Sequence, residues 1–289
     1  MKLSVVIITY NEEENIQRTL ESVQPLVGGG RGEIMVVDSG STDRTVEIAQ
    51  SFKAKTFVEP WKGFAAQKNS AIQKAAGDWI LSLDADEALD ADLQKILGEL
   101  LDALTLYERL RGEGANAVML NDARAEIEKH IDRKVNGELV GFWLKRKNFF
   151  LGRWIKHGGY WPDPKLRFFK KSAGAFEDRV VHEDVKVEGK TATIRRGALL
   201  HYAYPTLSAY IEHMNRYSSL GAEMAVAKGR RGFSAFDIIL RPLWTILYNY
   251  WMRLGFLDGR EGLLLHHFHA MYVSLKYAKV WELTRKRKD

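Results

Sequence analysis

The sequence contains no cysteine among its 289 residues. Disulfide frameworks, Cys-ligated zinc, iron–sulfur clusters and thiol nucleophiles are therefore excluded, and any metal must sit on oxygen or imidazole ligands. Long apolar runs are also missing. The two longest uncharged stretches near the C-terminus, Pro242 to Met252 and Gly262 to Leu275, fall short of the ~18 residues needed to span a bilayer. The opening MKLSVVIIT leads straight into NEEEN, which is not the pattern of a cleaved signal peptide, so a cytoplasmic protein is expected. Neither GxGxxG nor GxxxxGK[ST] occurs, which disfavours a dinucleotide dehydrogenase and a P-loop NTPase, because both use such turns to bring backbone amides to phosphate. Charge of one sign is not strongly dominant. Lys and Arg number 43 against 37 Asp and Glu, a net of +6, which suits an anionic substrate, an anionic membrane or a nucleic acid equally well.

What is present is ordinary globular composition, 46% hydrophobic and 28% charged, at odds with disorder, collagen-like repeats or a polytopic membrane protein. The length sets a prior of about two domains, or one large domain with an appendage. The first hundred residues alternate short β-branched runs with helical patterns, which predicts βαβ units and a mostly parallel sheet. Strands are expected at Leu3 to Thr9, Glu33 to Val37, Ala54 to Val58 and Trp79 to Leu83. Between them lie a helix capped by Asn11 with Glu14 completing the box, one capped by Ser41 or Thr42, and one from Phe64 to Ala76 closed by Gly77. A helix follows Asp90, and 102–135 reads as a helical insertion. From Gly137 aromatic-rich extended segments separated by glycines suggest a β-rich second half of the same domain, and from Ser208 the pattern is helical again. The expected organisation is a catalytic domain over 1–205 (a nucleotide-binding half 1–100, the insertion 102–135, an acceptor half 137–205) and an aromatic, basic helical region over 206–289.

In an open parallel sheet, ligands bind beyond the carboxyl ends of the strands. There the sequence places Thr9-Tyr10-Asn11-Glu12, Asp38-Ser39-Gly40-Ser41-Thr42-Asp43 and Asp84-Ala85-Asp86-Glu87. Asp84 and Asp86, one residue apart after an apolar strand, suit a nucleotide ribose on one side and a hard divalent cation, Mg²⁺ or Mn²⁺, on the other. The alternative is that they merely favour the next helix start. Asp38 either accepts a hydrogen bond from a base edge or builds an Asx turn. Lys68 lies on the apolar stripe of its helix, either reaching a pyrophosphate or snorkelling to water.

The runs VVIITYNEEENI, VVDSGSTDRT and QKNSAIQKAAGDWILSLDADE resemble the nucleotide-binding half of family 2 glycosyltransferases, which have the GT-A fold. The segments FLGRWIKHGGYWPDPKLRFFKK, VVHEDV, ALLHYAYP, RYSSLGAEMA and GFLDGREG are similar to the bacterial branch containing lipopolysaccharide core β-1,4-glucosyltransferases. The resemblance covers most of the chain and departs from the branch at about 102–132, which is longer here. It implies that Thr9, Asn11, Glu12 and Asp38 surround the base and ribose, that Asp84 and Asp86 form the D-x-D pair, and that Lys68 stands where many relatives have Arg. Within VHED it implies a general base at Glu183 or Asp184, with Glu183 preferred and His182 orienting the loop. It also implies that His201 sits near the metal and diphosphate.

The chemistry so implied is inverting and metal-dependent, moving a hexose from a nucleotide sugar, UDP-glucose first among candidates, onto a lipopolysaccharide core or related glycolipid. A polyprenyl phosphate or polysaccharide precursor is the nearby alternative acceptor, and an inactive membrane- or nucleic-acid-binding module is the rival of a different class. Aromatics from Trp244 to Trp281 interleaved with Lys and Arg suit either an anionic membrane interface or a helical pair on the catalytic domain. No RNA-binding signature is visible, and no nucleic-acid partner is expected.

Overall fold

The computed structural model describes residues 2–135, 137–177 and 185–285. The elements run β1 (Leu3–Thr9), α1 (Ile16–Val27), β2 (Gly32–Asp38), α2 (Thr45–Ser51), β3 (Lys55–Val58), α3 (Phe64–Lys74), β4 (Trp79–Asp84), β5 (Glu87–Leu89), α4 (Ala91–Gly112) and α5 (Ala117–Glu128). They continue as β6 (Leu139–Leu144), β7 (Arg146–Phe150), β8 (Arg153–Trp154), β9 (Lys165–Lys170), β10 (Gly174–Phe176), β11 (Val185–Val187), β12 (Lys190–Thr193), β13 (Leu199–Tyr204), α6 (Leu207–Ala227), α7 (Arg241–Ile246) and α8 (Gly259–Arg285). The described residues form two compact units, 1–146 with 164–201, and 147–163 with 202–289.

The first unit is built on a seven-stranded sheet in the order β12-β6-β9-β4-β1-β2-β3. β4, β1, β2 and β3 are mutually parallel, and β9 runs antiparallel to both β4 and β6. Every residue of β1 is buried, as its unbroken apolar run requires of a central strand covered on both faces. Side chains alternate between those faces. Leu3, Val5, Ile7, Ile34, Val36 and Leu81 share one core with Ile16, Leu20 and Val23 of α1 and Leu93, Leu97 and Leu100 of α4. Val6, Met35, Val37 and Ile80 share the other with Ala65, Ala71 and Ile72 of α3. On the α1 side Trp79, Phe142 and Phe168 stack on one another with centroids 4.7–5.7 Å apart. The expected mixed α/β class with a mostly parallel sheet is present, and helices follow β5 where an insertion was expected.

The predicted helix starts are corrected in detail. Asn11 does not cap α1. It lies at φ 52°, a left-handed conformation that Asn tolerates better than most residues, and α1 begins after Asn15. Neither Ser41 nor Thr42 caps α2, because Asp43 Oδ1 accepts from Thr45 N and Thr45 Oγ1 instead. Gly77 lies beyond the end of α3, which closes at Ala75. It donates its N–H to Ser4 Oγ, and a Cβ there would stand 2.7 Å from Ser4 N, so the close approach of this turn to β1 demands glycine. Asp90 does cap α4, accepting from Leu93 N at 2.9 Å.

In the second unit α6 starts at Thr206, whose hydroxyl accepts from Ala209 N. Phe150, Ile155, Tyr210, Met214 and Leu265 form its core. Asp258, 2% exposed, accepts from the backbone N–H of Lys156 and of His157.

Phe168 fills the centre of the aromatic stack at 1% exposure, so Phe168→Ala is expected to lower stability by about 3–5 kcal/mol. Chemical denaturation checks this, and a loss below 1 kcal/mol would mean the stack is not a tightly filled core.

Candidate active site

The parallel strands bring their polar ends to one edge. In register, Thr9 stands opposite Asp38 and Ile8 opposite Asp84. The loops after β1 and β2 are latched together: Asn11 N donates to Ser41 Oγ at 2.7 Å, Thr42 N donates to Asn11 Oδ1 at 2.8 Å, and Glu12 N donates to Thr45 Oγ1 at 2.8 Å. Asp38, fully buried, accepts from Gly40 N and Ser41 N at 2.8 Å and also from Ser41 Oγ. The Asx turn, one of its two expected roles, is formed. Three acceptances leave about one of the carboxylate's four lone-pair positions for a ligand. Nearby, Thr9 Oγ1 and Ser39 Oγ are buried with no hydrogen-bond partner among the described residues.

The D-x-D carboxylates have different surroundings. Asp84 Oδ1 lies 2.7 Å from Lys68 Nζ and Asp84 Oδ2 lies 2.6 Å from an Arg167 guanidinium nitrogen. Burial opposes its ionisation, yet Arg167 and Lys68 hold the carboxyl far below the usual carboxylate range. Lys68 does not snorkel: its side chain is 4% exposed and its ammonium lies 5.1 Å from the centre of the Phe176 ring. Asp86 instead faces His201, Oδ2 to Nε2 at 3.4 Å. Burial works against its charge too, and His201 outweighs it, so its carboxyl is lowered. His201 is brought there by β13, which pairs antiparallel with β5 so that His201 stands opposite Glu87.

Three participants were not singled out from sequence. Arg167, 5% exposed, donates to both Asp84 and Glu87. Glu87, fully buried, also accepts from Arg146 at 2.9 Å and from Asp84 N at 3.1 Å. Gln67, next to Lys68, has both amide atoms buried without a hydrogen-bond partner among the described residues. The available signal was an Arg inside the apolar strand KLRFFK, since a charge buried in a strand needs a partner.

As for a divalent ion, the donor chemistry fits Asp86 and His201, an oxygen and an imidazole nitrogen facing one another. It does not fit Asp84, whose two oxygens each already meet a cation. Among the described residues no group of three or more His, Asp or Glu could hold an ion by itself, so further ligands would have to come from substrate or water. Glu183, Asp184 and His182 lie outside the described residues.

Burial, with further contributions from Asp86, Asp43 and Asp84, raises the carboxyl of Glu12 to about 7 against the lowering effect of its Asn15 hydrogen bond. The unfolded chain releases this proton near the ordinary value of 4.5. Between the two values the folded state holds a proton that the unfolded state has lost, so this contribution to stability is complete at low pH and disappears as pH rises through about 7. Glu12→Gln is therefore expected to match the parent at pH 4 and to exceed it by about 2 kcal/mol at pH 8 in metal-free buffer. Urea denaturation at both pH values checks this, and coincident curves at pH 8 would show an unperturbed carboxyl.

The sequence profile described as Glycosyl transferase family 2 matches residues 4–174. The chain is 28% identical to the lipopolysaccharide core biosynthesis glycosyltransferase LpsC of Rhizobium meliloti, over 98% of this chain and 93% of that protein. It is 29% identical to an uncharacterized glycosyltransferase of Rickettsia typhi, over 100% of this chain and 89% of the relative. Among solved structures it is similar to residues 1–349 of Staphylococcus aureus TarS in complex with UDP, at 17% identity, coverage of 100% and 92%, and TM-score 0.45. The profile spans more than half of the sequence, and the chain belongs to glycosyl transferase family 2.

Proposed function

We propose that this enzyme transfers a hexose, with inversion, from a nucleoside diphosphate sugar to a lipopolysaccharide core or related lipid-linked saccharide at the cytoplasmic face of the inner membrane. The observation that carries the reading is the division of labour in the D-x-D segment. Asp84 is immobilised between Lys68 and Arg167, while Asp86 and His201 face one another, with no other cation among the described residues within ion-pairing distance of Asp86. One carboxylate thus organises the site and the other is free to serve a ligand.

The nucleotide would enter beside Thr9, Asn11, Glu12 and Asp38. The unpartnered hydroxyls of Thr9 and Ser39 and the amide of Gln67 offer hydrogen bonds that a polar ligand would complete. Asp86 and His201 would hold Mn²⁺ or Mg²⁺, which when bound supplies charge neutralisation for the departing nucleoside diphosphate. Lys68 and Arg167 fix Asp84 and add positive potential at the same edge. Glu183 or Asp184 takes the proton from the acceptor hydroxyl as its oxygen attacks the anomeric carbon opposite the leaving diphosphate. One displacement inverts the configuration, with the protein positioning reactants rather than bonding to them. UDP-glucose is the donor proposed, from the resemblance to the β-1,4-glucosyltransferase branch. The name of the Rhizobium meliloti relative, which matches nearly the whole chain, supports the lipopolysaccharide core as acceptor.

Calorimetric titration with UDP is expected to give binding that Mn²⁺ strengthens at least tenfold, about 1.4 kcal/mol, with Asp86→Ala abolishing the enhancement. A panel of nucleotide sugars should then yield donor turnover with one of them. Metal-independent UDP binding together with no turnover of any donor would overturn the reading.

For the base, Glu183→Gln is expected to lower kcat by at least about a hundredfold while leaving donor affinity intact, and Asp184→Asn to have the smaller effect. The reverse ranking assigns the base to Asp184, and full activity in both excludes this segment from proton transfer.

A further inference from the structure

We infer that the helical stretch 236–252 of the second unit is a membrane-docking face, lying flat in an anionic lipid surface. The stretch consists of α7 flanked by π-helical turns at Phe236–Leu240 and Leu247–Met252. A surface helix normally turns its apolar stripe to the core and its polar side to water. Here the pattern is reversed. Phe236, Leu240, Leu243, Trp244, Leu247 and Trp251 recur at spacings of one helical turn and all are exposed, Leu243, Trp244 and Trp251 at 57–58%. The inward side carries Asp237 and Pro242, both buried. It is tied to α8 by Ser274 Oγ donating to Ile238 O and by the Arg241 guanidinium 5.1 Å from the Tyr277 ring centre. The outward stripe is therefore not a core face awaiting an internal partner.

The charges around the stripe identify the occupant. Arg230, Arg231, Arg241 and Arg253 are exposed. The sole carboxylate between Lys228 and Leu257 is Asp237, which is fully buried and paired with Arg230 and Arg241. An apolar stripe with tryptophan and tyrosine, bordered by the arginines of its own segment and with no exposed acid within that segment, matches acyl chains below and anionic headgroups beside them. A second copy of this chain matches poorly, because a twofold contact through this stripe would set the segment's arginines against arginines while its one acid, Asp237, is buried. No helix among the described residues is long and apolar enough to cross a membrane. Seventeen helical residues reach about 25 Å, so the stretch covers the surface lengthwise. This deepens the reading of a lipid-linked acceptor by naming the surface that meets the lipid.

The test uses the full chain and vesicles without donor or acceptor, so it can fail independently of sugar transfer. The chain should co-sediment at least about tenfold more with phosphatidylcholine vesicles containing about one-third phosphatidylglycerol than with phosphatidylcholine alone, and salt should weaken the binding. Leu243→Glu/Leu247→Glu should lose that binding by a similar factor with an unchanged thermal melt, since both positions face solvent. Failure to sediment, equal sedimentation of the variant, or equal binding to neutral vesicles would overturn the inference. So would a concentration-dependent dimer in analytical ultracentrifugation that the variant abolishes, which would assign the stripe to a second copy.

Discussion

Glu87 and Arg167 are ionisable groups removed from water at the edge of the sheet beside the partly exposed Asp84, and they persist there because Arg167 lies within hydrogen-bonding distance of both acids. Desolvation of such charges costs several kcal/mol each, and the pairing compensates only while the geometry holds. Lys68 from α3, Arg146 at the start of β7 and Arg167 from β9 converge on Asp84 and Glu87. Sheet and helix are thereby tied at the point where the D-x-D segment turns into β5. Displacement of any of these elements would expose an unpaired charge to a low-dielectric interior, and this constraint keeps the whole edge in one arrangement.

That constraint also separates two carboxylates which look interchangeable in sequence. With three cations gathered on Asp84 and Glu87, the cationic partner of Asp86 among the described residues is His201. The family's pattern of two acids one residue apart becomes a fixed member and an available member, and the difference comes from neighbours contributed by β9, α3 and β13 rather than from the two residues themselves.

Much of this architecture can be read along the chain. β1 is legible because both its faces are covered, which forces an unbroken apolar run, and the polar residues that end β1, β2 and β4 stand out against such runs. Local turn chemistry is less legible. Asn11 and Asn15 both precede an apolar stripe, and only the left-handed backbone at Asn11, fixed by contacts to a loop some thirty residues away, makes Asn15 the residue before the helix. Arg167 is the clearest case of information absent from local sequence. It lies 83 residues from Asp84, and it is the antiparallel pairing of β9 with β4 that brings it to the acid. Gln67 was passed over for the opposite reason, since an amide beside a lysine on a helix gives no sign that both its polar atoms will be buried without partners. Glu183 and Asp184 rest on the VHED pattern.

The loops following β1 and β2 are joined at Asn11, whose N–H donates to the Ser41 hydroxyl and whose Oδ1 accepts from Thr42 N. The two loops therefore constrain one another, and neither can shift without breaking a hydrogen bond to the other. For the nucleotide donor proposed above, two loops latched to each other would lower the entropic cost of ordering them on binding, which favours recognition by shape over closure around the guest.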